Sequence, residues 1–302
     1  MTANASIRAR GLGGRSWRHL GAAVWRGVNR HDLTGMAAAV AYHSIFSFFA
    51  GFFFLACVAT QFGRSQENLE WILALLRNVL PPPGIRLAEE NLARFLRPVS
   101  KEALPLALIL SLWTASNVVE VVMRGLNRIY SVTETRPWWQ TRIGAIVLTA
   151  MASFFFIVAF NLTIFERQTV AGLDRLLHYR TILPELVHAL QWPLIWLGSV
   201  GAAAVIYFLA PNFSRTQRRI ALPGAVFFAV VWFILNQGFT GYLANFGDFD
   251  RIYGPLGTAM AVLLWVYLSS LILLIGGEIN AEVGRVLPRK SKKQVPSAAE
   301  AA

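Results

Sequence analysis

Charge is what this chain has least of. Only 15% of its 302 residues are Asp, Glu, Lys or Arg, against roughly 25% in soluble globular chains. A water-exposed globule built from it would lack polar surface. Cysteine is nearly absent: the single Cys57 excludes an intramolecular disulfide and any cysteine-based metal site. The histidines at 19, 31, 43, 178 and 188 are scattered, with neither H-x-H nor H-E-x-x-H among them. That removes the ligand set of a metallohydrolase. No Gly-x-Ser-x-Gly and no Walker-type loop occurs, which excludes an ATP-driven pump for this chain alone. The expectation is a protein that is not an enzyme, with no catalytic residues, no cofactor and no metal.

What is present is apolar. Hydrophobic residues make up 55% of the chain and mean hydropathy is +0.49. A helix needs about 20 apolar residues to cross a bilayer core. Six stretches meet that length: 36–60, 103–123, 142–165, 189–210, 220–244 and 255–277. In the fourth, Pro193 near the start is tolerated as a first-turn proline. The first follows an arginine-rich leader but is too long for a signal-peptide core and has no small-residue cleavage site, so it reads as an uncleaved span. The expected fold class is all-α, a polytopic membrane protein of six transmembrane helices. Residues 1–35 form a basic cytoplasmic segment, 36–285 the membrane domain, and 286–302 a polar, disordered cytoplasmic tail.

Basic residues set the orientation. With a cytoplasmic N-terminus, the inner segments hold 18 Lys and Arg and the outer ones 10, whereas ten acidic residues fall outside and four inside. The net charge of +12 is therefore a topology signal and not a nucleic-acid footprint. Both termini are expected in the cytoplasm. Trp138 and Trp139 then mark the inner interface and Trp192 the outer one, while Trp113, Trp232 and Trp265 read as packing residues. In the long outer segment, Leu69, Ile72, Leu73, Leu76 and Val79 repeat at helical spacing, as do Ala88, Leu92, Phe95, Leu96 and Val99, on either side of Pro81–Gly84. Residues 66–99 are thus expected to form two amphipathic helices in the first periplasmic loop, as a cap or a lid.

Ionisable groups inside lipid spans are functional candidates by default. Asn117, Glu120, Arg124 and Asn127 are spaced 3, 4 and 3 apart and share one face of the second span. Glu120 and Arg124 have the spacing of an i,i+4 ion pair. His43 of the first span and Glu278 of the sixth reach similar depth. The candidate intramembrane polar cluster is His43, Asn117, Glu120, Arg124, Asn127 and Glu278. Its pair either locks helix register or serves a substrate or proton site. Asp248 and Asp250 lack the closing Glu of a calcium loop.

Three blocks carry a family resemblance: 112–142, LWTASNVVEVVMRGLNRIYSVTETRPWWQTR; 245–283, NFGDFDRIYGPLGTAMAVLLWVYLSSLILLIGGEINAEV; and 34–55, TGMAAAVAYHSIFSFFAGFFFL. Together they resemble the YihY/virulence factor BrkB family, over about 34–285. The resemblance implies six spans, a cytoplasmic N-terminus and the bacterial inner membrane. It also implies a link to envelope lipid export or serum resistance, and it touches an old ribonuclease BN label that belongs to an unrelated soluble enzyme. Where the family has Tyr-Tyr or Tyr-Phe, this chain has Tyr42-His43. The expected function is a transporter or lipid-translocating protein acting on membrane lipids, with an anionic lipid or small molecule as substrate and no nucleic-acid partner. A membrane scaffold or partner-binding subunit is the alternative, and a membrane nuclease the third reading.

Overall fold

The structure, a computed structural model, describes residues 15–61, 85, 89, 103–154, 182–213, 220–245 and 255–286. Among the described residues there are seven helices and no strand. They are α1 (Arg15–Arg30), α2 (Leu33–Gln61), α3 (Ala103–Ile129), α4 (138–154, to the edge of the described stretch), α5 (Ile182–Leu209), α6 (Leu222–Asn245) and α7 (Pro255–Val286).

Each of the six apolar stretches overlaps a helix among the described residues, with shifted ends. Among the described residues, four helices are long and apolar enough to cross a membrane: Leu33–Phe54, Ala103–Ile129, Leu222–Tyr242 and Ala259–Arg285. In α5 only Trp196–Leu209 reads as a shorter apolar helix. Pro193, expected in a first turn, lies inside α5 because the helix already begins at Ile182. The proposed amphipathic pair at 66–99 lies outside the described residues except Ile85 and Glu89, which are helical. The second half of the 142–165 stretch and nearly all of the 286–302 tail also lie outside.

Local chemistry sets the helix ends. Asp32 adopts φ 53° between α1 and α2, and its Oδ1 accepts from the Gly35 amide at 3.2 Å. That is an N-cap, with the acidic charge at the positive end of α2. At the far end of α3, Ser131 takes φ 52°. The Val132 amide donates to the Asn127 carbonyl at 2.8 Å and the Ser131 amide to Arg128 at 3.1 Å, a Schellman closure with serine in the place usually held by glycine. The Pro137 carbonyl accepts from Gln140 and Thr141 and starts α4.

Among the elements α1–α3 and α5–α7, α2 packs most extensively along α3; α7 packs on α6 and α2, α5 on α6, and α1 on α7. The main buried cluster gathers Leu33, Ala37 and Val40 of α2 with Met123, Leu126 and Ile129 of α3. Ala203, Tyr207 and Ala210 join it from around α5, with Ala225 of α6 and Leu274 and Ala281 of α7. These positions are the start of α2 and α6 and the end of α3, α5 and α7, so the tightest packing lies at one end of the bundle. Gly224 and Gly276 bring α6 and α7 into backbone contact. A Cβ on Gly224 would strike the Gly276 carbonyl, and one on Gly276 would strike the Tyr207 hydroxyl. Only 22–28% of the four spanning windows is buried. Their outward faces carry Leu106, Ile109, Val226, Ile234 and Met260, side chains suited to hydrocarbon.

Candidate functional site

The polar line of α3 divides between different partners. Its upper part meets Arg142, which α4 places one turn inside its own start. Arg142 Nη1 donates to Asn117 Oδ1 at 2.6 Å and to Glu120 Oε2 at 3.2 Å, and Nη2 donates to the Trp113 carbonyl at 2.9 Å. The guanidinium carbon sits 3.6 Å from the Trp113 ring centroid, a cation–π contact strengthened by loss of water. Side-chain exposure is 6% for Arg142 and 25% for Glu120, so the carboxylate is the reachable side of the group. Arg142 Nε is buried with no hydrogen-bond partner among the described residues. Asn117 lies twelve residues from Ile129, roughly 18 Å along the axis, near the middle of α3.

The expected Glu120–Arg124 pair does not form. Arg124 is exposed, and Glu120 takes its cation from the facing helix. A single i,i+4 contact on one helix contributes only about 0.2–0.5 kcal/mol. Arg142 instead serves Asn117, Glu120 and a backbone carbonyl with one planar fork. Asn127, the last member of the line, turns to the loop after α3. Its Nδ2 donates to Glu134 Oε2 at 2.8 Å and its Oδ1 accepts from the Asn212 amide at 2.8 Å. Glu134 accepts in turn from Arg136 Nε at 2.8 Å and Nη2 at 2.7 Å. Arg136 beside it holds the Glu134 carboxyl below its ordinary range, with Asn127 adding to the effect against partial burial.

Glu278 and His43 are not joined. Glu278 is fully buried and its Oε2 lies 2.8 Å from Nδ1 of His31, in the turn after α1. Its Oε1 has no hydrogen bond among the described residues, with Arg285 Nη1 at 3.9 Å. Gly27 presses on this carboxylate, leaving no space for a Cβ. Two residues on, Asn280 bridges to α6: Oδ1 accepts from the Gly224 amide at 2.7 Å and Nδ2 donates to the Ala221 carbonyl at 3.1 Å. This satisfies groups that a helix start leaves open. His43 packs edge-on against Tyr42, ring centroids 5.5 Å apart. The six residues named from sequence therefore fall into a mid-helix group (Asn117, Glu120), a loop tie (Asn127), a buried pair at the end of the bundle (Glu278), and two positions, Arg124 and His43, bonded to neither.

Sequence reading missed Arg142 and His31. Arg142 is the first residue of the 142–165 stretch and reads from sequence as one of the basic residues of the inner side, although Pro137 followed by two tryptophans marks a helix start one turn earlier. No spacing signal connects His31 to a residue 247 positions away. Among the described residues no group of three His, Cys, Asp or Glu is placed to hold a metal ion.

A buried arginine bonded to a half-buried Asn and Glu between two apolar helices is the architecture to set against known proteins. The virulence factor BrkB family matches residues 24–301. The chain belongs to that family. It is 27% identical to a ribonuclease-like protein, YfkH, of Bacillus subtilis, over 83% of this chain and 90% of that protein. It is also 27% identical to a UPF0761 membrane protein of Tolumonas auensis, over 88% and 86%. A UPF0761 membrane protein of Alteromonas mediterranea is 28% identical over 63% and 60%. No solved structure matches. This BrkB-family chain is a membrane protein with several apolar helices.

Proposed function

We propose that this BrkB-family chain is a six-span protein of the bacterial inner membrane, with both termini cytoplasmic, that moves or handles an anionic envelope lipid and is not an enzyme. The observation that carries the reading is Arg142, held with Asn117 and Glu120 near the middle of α3. An arginine at that depth is costly in lipid and is characteristic of substrate paths. Glu120 is the more accessible partner of the pair. A phosphate head group approaching from that side competes with the carboxylate for the guanidinium fork, which matches phosphate in two-point geometry. Six spans are supported by hydrogen bonds that gather helix ends at one end of the bundle. Arg285 donates to the last α3 carbonyl at 3.3 Å, Asn280 bonds the start of α6, and Arg136 donates to the Ala210 carbonyl after α5 at 3.3 Å. That gathering is what alternating up-and-down helices produce.

The test is lipid movement in reconstituted vesicles, followed by reduction of a head-group-labelled phosphatidylglycerol in the outer leaflet. The wild-type chain is expected to bring more than half of the label within reach. Arg142→Lys, which keeps the charge and loses the fork, is expected to slow the exchange about tenfold or more, as loss of a hydrogen bond to a charged group would. No exchange by correctly folded wild-type protein ends the proposal.

The second reading is a scaffold, and one observation favours it. Arg142 already has three hydrogen bonds and a ring face, as a pair that only locks α3 to α4 would. In that case Glu120→Gln lowers thermal stability and leaves partner binding or envelope phenotype unchanged at equal protein level.

A further inference from the structure

Helix α1 is fixed to the bundle along one side only. Gly27 lies against the Glu278 carboxylate, Val28 is buried, and Leu20, Ala23 and Val24 share that side half-buried. The other side carries Ala22, Trp25, Arg26, Asn29 and Arg30, all exposed, with Trp25 at 67%. The helix sequence RSWRHLGAAVWRGVNR holds four arginines and no acidic residue. It ends two residues before α2 begins, and it packs on the last turns of α7. The helix therefore lies beside the start of α2 and the end of α7.

We infer that the outward face of α1 is a docking surface for an anionic phospholipid bilayer. Three properties of that face fit this partner together. Its charge is of one sign and opposite to phosphatidylglycerol. Trp25 lies 100° around the helix from Arg26, so an indole can enter the head-group layer while the arginines stay among the phosphates. The tether to α2 keeps the helix beside the lipid at high effective concentration, so contact needs no strong intrinsic affinity. A nucleic acid would meet the arginines, but nothing on this face gives Trp25 a role there, and the tether to α2 points it to the bilayer. The inference is independent of what passes through the bundle.

The test uses the full chain with Cys57→Ala and Ala22→Cys, labelled with a polarity-sensitive fluorophore and reconstituted into vesicles. One set is phosphatidylcholine alone, the other phosphatidylcholine with phosphatidylglycerol. Quenching by neutral acrylamide reports contact with water. Anionic vesicles are expected to shield the label and shift its emission to the blue. Each arginine removed, Arg26→Gln and then Arg30→Gln, is expected to lower the docked-to-undocked ratio about fivefold. Raising salt should weaken docking without any further substitution. A label at Asn29→Cys repeats the measurement should Ala22→Cys disturb the fold. Equal exposure in both vesicle types overturns the inference. So does equal shielding in both that ignores the arginines, which would mean protein covers the face, and so does shielding that requires added nucleic acid.

Discussion

At the scale of single residues, Glu278 is the group with the fewest options. It has no exposed surface, one hydrogen bond to His31, and Arg285 and Glu282 as its remaining charged neighbours from α7. Removing one partner of such a pair leaves a buried charge without compensation, whereas removing both costs less. His31→Ala is expected to destabilise the protein by about 2–4 kcal/mol, read as a fall in thermal midpoint in detergent. Adding Glu278→Gln to His31→Ala should recover at least half of that fall. Losses that simply add in the double variant would show that the two side chains are uncoupled. The polar residues of α3 were legible because a helical period of 3.6 puts Asn117, Glu120 and Asn127 on one stripe. Their partners were not, because the identity of the facing helix is a tertiary fact with no local spacing.

At the scale of elements, the loop after α3 works as a clasp. Asn127, Glu134, Arg136 and Asn212 tie the end of α3 to the segment after α5, with Asn212 Nδ2 also donating to the Thr133 carbonyl at 3.2 Å and Thr135 Oγ1 at 2.9 Å. Glu134 binds its proton less readily in the fold than its ordinary value of 4.5. Over the interval between the folded and unfolded values the unfolded chain holds more protons, so stability rises with pH there. The contribution is complete above about 4.5 and is lost as pH falls through the folded value. Glu134→Gln is therefore expected to melt below wild type near neutral pH by about 1 kcal/mol or less, the range of partly exposed ion pairs. The two melting curves should converge as pH drops under 4.5. A gap that stays constant through that interval would remove the clasp from the account of acid stability. None of this loop was legible in the sequence beyond its basic charge, since its hydrogen bonds join residues up to 85 positions apart.

At the scale of the whole molecule, length and apolarity were enough to locate every long apolar helix among the described residues, because spanning a bilayer imposes a local rule on composition. The ends were less legible. Pro193 lies within α5, not in its first turn, and α7 runs on to Val286. The inside excess of basic residues predicts reporter fusions after Arg219 and after Arg289 that both read cytoplasmic. One periplasmic reading at normal expression would require an odd number of crossings before it. The contact of Gly224 with Gly276 bears on how such a molecule could move. One helical turn from these glycines stand Phe228 on α6 and Ile272 and Asn280 on α7. Sliding α6 past α7 by a turn, about 5.4 Å, would drive a bulky side chain into a notch with no space even for a methyl group. The two helices are interlocked like meshed teeth against translation, so any opening of the bundle has to come from tilting or from parting along another seam.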